Sequence, residues 1–86
     1  MKKSDPKLFG VGLDGTDGQT RLTRGHNFSL IGGSEETHAI MRETVIKVNE
    51  KLDQRGKMLA DLEPREMEDL LGESIDAVGR RRLERN

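Results

Sequence analysis

Residues 32–38, Gly32-Gly33-Ser34-Glu35-Glu36-Thr37-His38, mark where this chain changes from sheet to helix. An apolar run over residues 28–31 ends at the two glycines, and a helix-favouring sequence follows. Ser34 is a good N-cap because its side-chain oxygen can accept a hydrogen bond from an N–H group of the first helical turn. Glu35 and Glu36 lie where the helix dipole favours negative charge. The stretch therefore predicts the end of a strand, a tight turn and the start of a helix.

The same stretch also has some features of a phosphate site, because a glycine-rich turn before a helix N-terminus can bind anions. It lacks the Gly-Lys-Ser/Thr of a P-loop and the spacing of a dinucleotide-binding fingerprint. Glu35 and Glu36 would repel an anion. The sequence favours an ordinary connection that uses the conformational freedom of glycine.

A long helix is predicted over residues 35–55. Its apolar stripe recurs at helical spacing and consists of Met41, Val45, Val48 and Leu52. Gly56 follows at the position where a left-handed C-cap is expected. Ile46 lies away from the stripe, so we expect it to contact a partner.

A second helix is predicted to begin at Pro64, which suits the first helical position. Its buried face is supplied by Met67, Leu70 and Leu71. We expect an ordered helix to about Gly72, followed by a less regular helical segment. The alternative is a helix that continues through Gly72 and Gly79, extended by Ile75, Val78 and Leu83.

Three short strands are predicted before the helices, over residues 8–13, 19–24 and 28–31. In the first, apolar residues alternate with glycine, so one face is apolar and the other is bare. We expect the apolar face to be buried and the bare face to contact a partner. The simplest arrangement is an antiparallel meander.

The predicted fold is α+β, with a small three-stranded antiparallel sheet in residues 7–31 followed by two packed helices. We expect a flexible tail over residues 1–6, a single domain over residues 7–79 and a basic tail over residues 80–86. Such a small core is marginal alone, which predicts a homo-oligomer, with a dimer as the simplest form. The predicted core is Phe9, Val11, Leu13, Leu22, Phe28, Leu30, Met41, Val45, Val48, Leu52, Leu59, Leu62, Met67, Leu70 and Leu71.

Charge is unevenly distributed, although the net charge of the 86 residues is only −1. Residues 1–33 contain five basic and three acidic residues, residues 34–79 contain six and twelve, and residues 80–86 contain four and one. This asymmetry predicts electrostatic contacts with a partner or between copies. The interaction candidates are Ile46 and five charged residues. The charged residues are Glu66, Asp69, Arg80, Arg81 and Arg82.

Catalytic chemistry has little support in the sequence. There is no cysteine or tyrosine, and no serine lies in a Gly-x-Ser-x-Gly motif. We name no catalytic residue or cofactor and favour a protein that is not an enzyme. No apolar run approaches membrane-spanning length, so we expect a cytoplasmic protein without a membrane partner.

Glu35 and His38 are the candidate metal ligands, because Glu-x-x-His is a spacing used in di-metal bundles. A symmetric dimer would supply the second copy that such a site needs. The competing interpretation places Glu35 at the helix dipole and His38 at the edge of the core. The Asp-containing loop of residues 14–18 lacks the ligand pattern of a calcium loop, and the sequence does not place it relative to residues 32–38.

The leading functional hypothesis is a non-enzymatic interaction or accessory protein that binds itself and another protein. One alternative is a nucleic-acid- or ribosome-associated protein that uses the arginine-rich C-terminal tail. The other is a metal-binding protein that uses Glu35 and His38 in an oligomer.

Overall fold

The structure is a computed structural model that describes residues 6–84. Its elements are β1 (Leu8–Gly12), β2 (Leu22–Gly25), β3 (Phe28–Gly32), α1 (Glu35–Arg55), a short 3-10 helix (Leu59–Asp61) and α2 (Pro64–Glu84). The α+β class is confirmed, with a three-stranded sheet followed by two packed helices. Most of the predicted N-terminal tail, residues 1–5, and the last two residues, 85 and 86, lie outside the described residues.

The described chain divides into two compact units, one up to Arg42 and the other from Glu43. No helix in residues 6–84 is long and apolar enough to cross a membrane.

The sheet is mixed, so the antiparallel meander is wrong. β3 lies at the centre, β2 pairs with it antiparallel, and β1 pairs with it parallel. Residues 13–21, between β1 and β2, form no regular element. This segment is long enough to take the chain past the place of β3, so β1 and β2 become the two edges. A tight hairpin between β1 and β2 would have given the meander.

The glycine face of β1 is its inner face, which reverses the prediction. A Cβ atom on Gly10 would lie 2.8 Å from Leu30 Cδ2 and 2.9 Å from Met41 Sδ. Phe9 and Val11 on the other face are 73% and 64% exposed. Because β3 and the first turns of α1 approach β1 so closely, only glycine fits at positions 10 and 12 of the inner side. The bare face is therefore covered from within the chain and is not free for a partner.

The predicted ends of α1 are confirmed. The backbone N–H of Thr37 donates to Ser34 Oγ at 3.2 Å, which is the expected N-cap bond. At the other end Gly56 adopts a φ of +65°. The N–H groups of Gly56 and Lys57 donate back to the carbonyls of Asp53 and Leu52, as in a Schellman motif.

The expected end of the second helix at Gly72 is wrong, because α2 continues to Glu84. Leu70, Ser74 and Val78 are buried at four-residue intervals and form one continuous packed side. Ser74 Oγ donates to the Leu70 carbonyl at 2.8 Å, so its burial leaves no polar atom unpaired. Packing on this side outweighs the low helix propensity of the glycines. The arginines 80–82 therefore lie on a helix.

The core of the second unit is formed by α1 and α2. Val45, Val48 and Leu52 from α1 are buried, as are Leu70 and Val78 from α2. Ion pairs connect the same two helices, joining Arg82 to Glu43 and both Lys51 and Arg55 to Glu73. The predicted core included residues near the sheet that are not buried. Four of them are exposed: Phe9, Val11, Leu13 and Leu22.

Candidate functional site

The N-terminus of α1 is occupied by a carboxylate from the chain itself. Asp14 Oδ1 accepts the backbone N–H of Ser34 at 2.8 Å. Asp14 Oδ2 accepts the Thr37 hydroxyl at 2.7 Å and the Ser34 hydroxyl at 3.0 Å. These bonds, the one from Thr37 first, lower the pKa of Asp14 from its ordinary value. Residues 14–18 and 32–38 thus meet, and Asp14 takes the place that a bound anion would need.

The backbone of this junction is packed too tightly for side chains. A Cβ atom on Gly12 would lie 2.4 Å from the Cα of Gly33. Gly32 and Gly33 have φ values of +77° and +83°, which side chains rarely allow. Backbone contacts between β1 and the turn fill the space beside these glycines. The glycines of the junction are therefore explained by close packing.

Arg21 connects the loop of residues 14–18 to the turn at Gly33. Its Nη1 donates to the carbonyl of Gly33 at 3.1 Å. Its Nη2 donates to Asp17 Oδ2 at 2.6 Å. The hydrogen bond and ion pair with Arg21 lower the pKa of Asp17, and Asp17 in turn raises the pKa of Arg21. Both charged side chains therefore hold the loop against the turn.

His38 is buried, with 4% of its surface exposed. Its Nδ1 lies 2.9 Å from the Gly32 carbonyl, and its Nε2 lies 2.7 Å from Thr23 Oγ1. A carbonyl only accepts, so this network assigns the proton to Nδ1, and in the neutral ring Nε2 accepts the Thr23 hydroxyl. His38 therefore connects β2, β3 and α1 by direct bonds.

The metal prediction for Glu35 and His38 remains a prediction. Both ring nitrogens of His38 have protein partners, and Glu35 is exposed. Among residues 6–84 there is no cluster of three or more histidine, aspartate or glutamate side chains that could hold a metal ion. Binding there would require His38 to give up a hydrogen bond that it makes within the fold.

The predicted interaction residues fall into two groups. Glu66 Oε2 accepts a hydrogen bond from Lys57 Nζ at 2.7 Å, which is the main reason why the pKa of Glu66 is lowered. Arg82 pairs with Glu43, so both Glu66 and Arg82 have partners within the second unit. The other members are solvent-exposed, and they are Ile46, Asp69, Arg80 and Arg81.

Sequence reasoning missed an exposed apolar surface of the described residues, which lies on the outer face of the sheet. The register places Val11 and Leu22 on either side of Ile31, and Phe9 beside Ser29. Phe9, Val11, Leu22 and Ile31 are exposed by 73%, 64%, 53% and 45%. We call these four residues the outer sheet patch. The available signal was the alternation of Gly10 and Gly12, which is typical of a closely approached strand face.

No protein-family model matches the chain, and no curated protein or solved structure is significantly similar to it.

Proposed function

We propose that the protein is a small non-enzymatic interaction protein that binds another protein through the outer sheet patch. The observation that supports this is four large apolar side chains, adjacent in the register and 45–73% exposed. The solvated face of a sheet normally carries polar residues. An exposed group of apolar side chains of this kind is typical of a surface that a partner covers.

The size of the patch is suited to recognition. Strands about 4.8 Å apart, with about 3.3 Å per residue, give a three-stranded face on the order of 240 Å². The largest apolar patches on soluble monomers are on the order of a few hundred Å² and often have a function. The whole face, of which the outer sheet patch is the apolar part, approaches that range.

The expected binding is weak. Full burial of an exposed valine, leucine, isoleucine or phenylalanine contributes about 1.5–3 kcal/mol. Scaled by their exposure, the four side chains contribute about 4–7 kcal/mol together. Association costs about 4 kcal/mol or more in lost motional freedom. One patch therefore supports transient contacts, and strong binding needs further contacts or more than one patch.

The partner should present an apolar surface with acidic groups at its edge. Arg24 pairs with Ser29 in the register and is the charged residue on this face of the described strands. Lys7 lies just before β1 and is also exposed. Neither forms an ion pair with another described residue, so both are available to carboxylates of a partner.

A peptide-display selection tests this proposal. The immobilised chain is exposed to a library of random displayed peptides, and we expect enrichment of apolar peptides that contain aspartate or glutamate. Their binding should be lost with the double variant Phe9→Ser and Ile31→Thr. Ile46→Thr is the matched control, because Ile46 and Ile31 are 49% and 45% exposed and only Ile31 lies in the patch. A lack of enriched peptides, or peptides that bind the double variant equally well, would overturn the proposal.

The nucleic-acid alternative has weaker support. Arg80 and Arg81 are exposed, but they lie on α2 together with Glu68, Asp69 and Asp76. These acidic residues would repel phosphates along the same helix. The alternative therefore remains a prediction from the sequence.

A further inference from the structure

The outward side of α2 carries a second uncovered apolar surface. Ile75 and Leu83 are 52% and 78% exposed. Gly72 lies three residues before Ile75, and Gly79 lies four residues after it, so the four residues share one side of the helix. We call Gly72, Ile75, Gly79 and Leu83 the α2 stripe.

The glycines of the α2 stripe are not explained by packing among the residues that the structure describes. A Cβ atom on Gly72 or Gly79 would meet no atom of residues 6–84 within 4 Å, and neither glycine has a positive φ. Glycine is a poor helix former compared with alanine. What it does allow is close approach by another backbone. The glycines thus suit contact with a second helix.

The charges of α2 indicate which helix packs against the α2 stripe. Up to Gly79, α2 contains one arginine and five acidic residues, whereas beyond Gly79 it contains three arginines and one glutamate. An antiparallel second copy of α2 would place the acidic part against the basic part. A parallel copy would place like charges together. α2 is therefore complementary to itself in the antiparallel orientation alone.

The charges needed for this pairing are available. Asp69, Asp76, Arg80 and Arg81 are exposed, and none makes an ion pair with another residue in the described range 6–84. In contrast, Glu66, Glu73 and Arg82 already have partners in the second unit. Of these residues, Asp69 lies before Ile75 and Arg80 lies after it, so an antiparallel pair centred near Ile75 brings these opposite charges together.

We propose that two copies of the chain associate through the α2 stripe, with the helices antiparallel around a two-fold axis near Ile75. Gly72 of one copy then faces Gly79 of the other, and Asp69 lies close to Arg80 of the other copy. The dimer does not depend on the function proposed above. If both hold, each dimer carries two outer sheet patches, and linked binding of two weak sites raises the apparent affinity.

Sedimentation equilibrium of the full chain tests the contact. The apparent mass should rise with concentration from 9.7 kDa towards twice that value. Ile75→Glu should weaken the dimer about 30-fold, as expected for a residue at the centre of an interface. Ile46→Glu is the matched control, because Ile46 is 49% exposed on a neighbouring helix of the same unit, and it should leave the dimer unchanged. A chain that stays monomeric up to millimolar concentration contradicts the proposal, as does an equal effect of both variants.

Charge reversal tests the orientation. Asp69→Lys and Arg80→Glu should each weaken the dimer, and the two together should restore it, because the exchanged charges attract again across the axis. Circular dichroism of each variant checks that the helices remain folded. In a parallel dimer Asp69 would meet its own copy, so a double variant no better than the single variants would overturn the antiparallel arrangement.

Discussion

The two faces of β1 have the opposite environments from those that their composition predicts. The inner face carries Gly10 and Gly12 and is packed against Leu30, Met41 and the backbone of the turn. The outer face carries Phe9 and Val11 and is largely exposed. The difference shows that close approach of neighbouring elements, and not hydrophobicity alone, decides which face is inside. It also explains why an apolar surface is left uncovered.

Gly12→Ala should have the largest effect on this comparison. Its Cβ would lie 2.4 Å from the Cα of Gly33, and a backbone atom cannot rotate away. We expect a loss of about 3 kcal/mol in the free energy of unfolding, measured by urea denaturation. Gly72→Ala is the matched control, and in the dilute monomeric chain it should raise stability by about 1 kcal/mol. Equal effects of the two variants would contradict the close packing of the inner face.

His38→Ala should have the next largest effect, a decrease of about 2–3 kcal/mol in the free energy of unfolding. It removes a buried ring and leaves the Gly32 carbonyl and the Thr23 hydroxyl without their partner. Thermal unfolding with and without a chelator separates this role from the metal prediction. We expect the wild-type unfolding temperature to be unchanged by the chelator, whereas a clear decrease would favour a metal site at Glu35 and His38.

Gly10→Ala should lower the free energy of unfolding by about 1–2 kcal/mol, which is less than the effect of Gly12→Ala. Its Cβ would meet Leu30 and Met41 side chains, which can move, instead of backbone. Adding Met41→Ala should make room for the new methyl group, so the double variant should be more stable than the sum of the two losses implies. Strict additivity in urea denaturation would show that Met41 does not cover Gly10.

Asp14→Asn should have a pH-dependent effect. Because the folded state lowers the pKa of Asp14 below its ordinary 3.8, the ionised form stabilises the fold. That contribution is complete above the unfolded pKa and is lost as the pH falls through the lower folded pKa. The unfolding temperatures of wild type and Asp14→Asn should therefore differ at neutral pH and converge below about pH 4. A constant difference across this range would mean that ionisation of Asp14 does not matter.

Elements that depend on local signals could be predicted from the sequence. The start of α1 follows from Ser34 and its end from Gly56, and both lie as expected. The extension of α2 depends on burial of Ser74, which becomes visible only when its packing partners are in place. The bond between Asp14 and Ser34 joins residues twenty apart in the sequence, and no local pattern announces it.

The outer sheet patch was missed for a related reason. Alternation identifies two faces of a strand but does not say which one a helix covers. The order of the strands was missed because it depends on the path of residues 13–21, which have no regular structure. The buried face of β1 and the order of the strands both depend on contacts between residues distant in the sequence, and not on local propensity.

The measurement that tests the central claim most directly is the urea unfolding free energy of Phe9→Ser, compared with wild type. If Phe9 belongs to an uncovered outer face, the unfolding free energy should change by no more than about 0.5 kcal/mol. A loss of about 3–5 kcal/mol, as for a phenylalanine removed from a core, would place Phe9 inside and contradict the account.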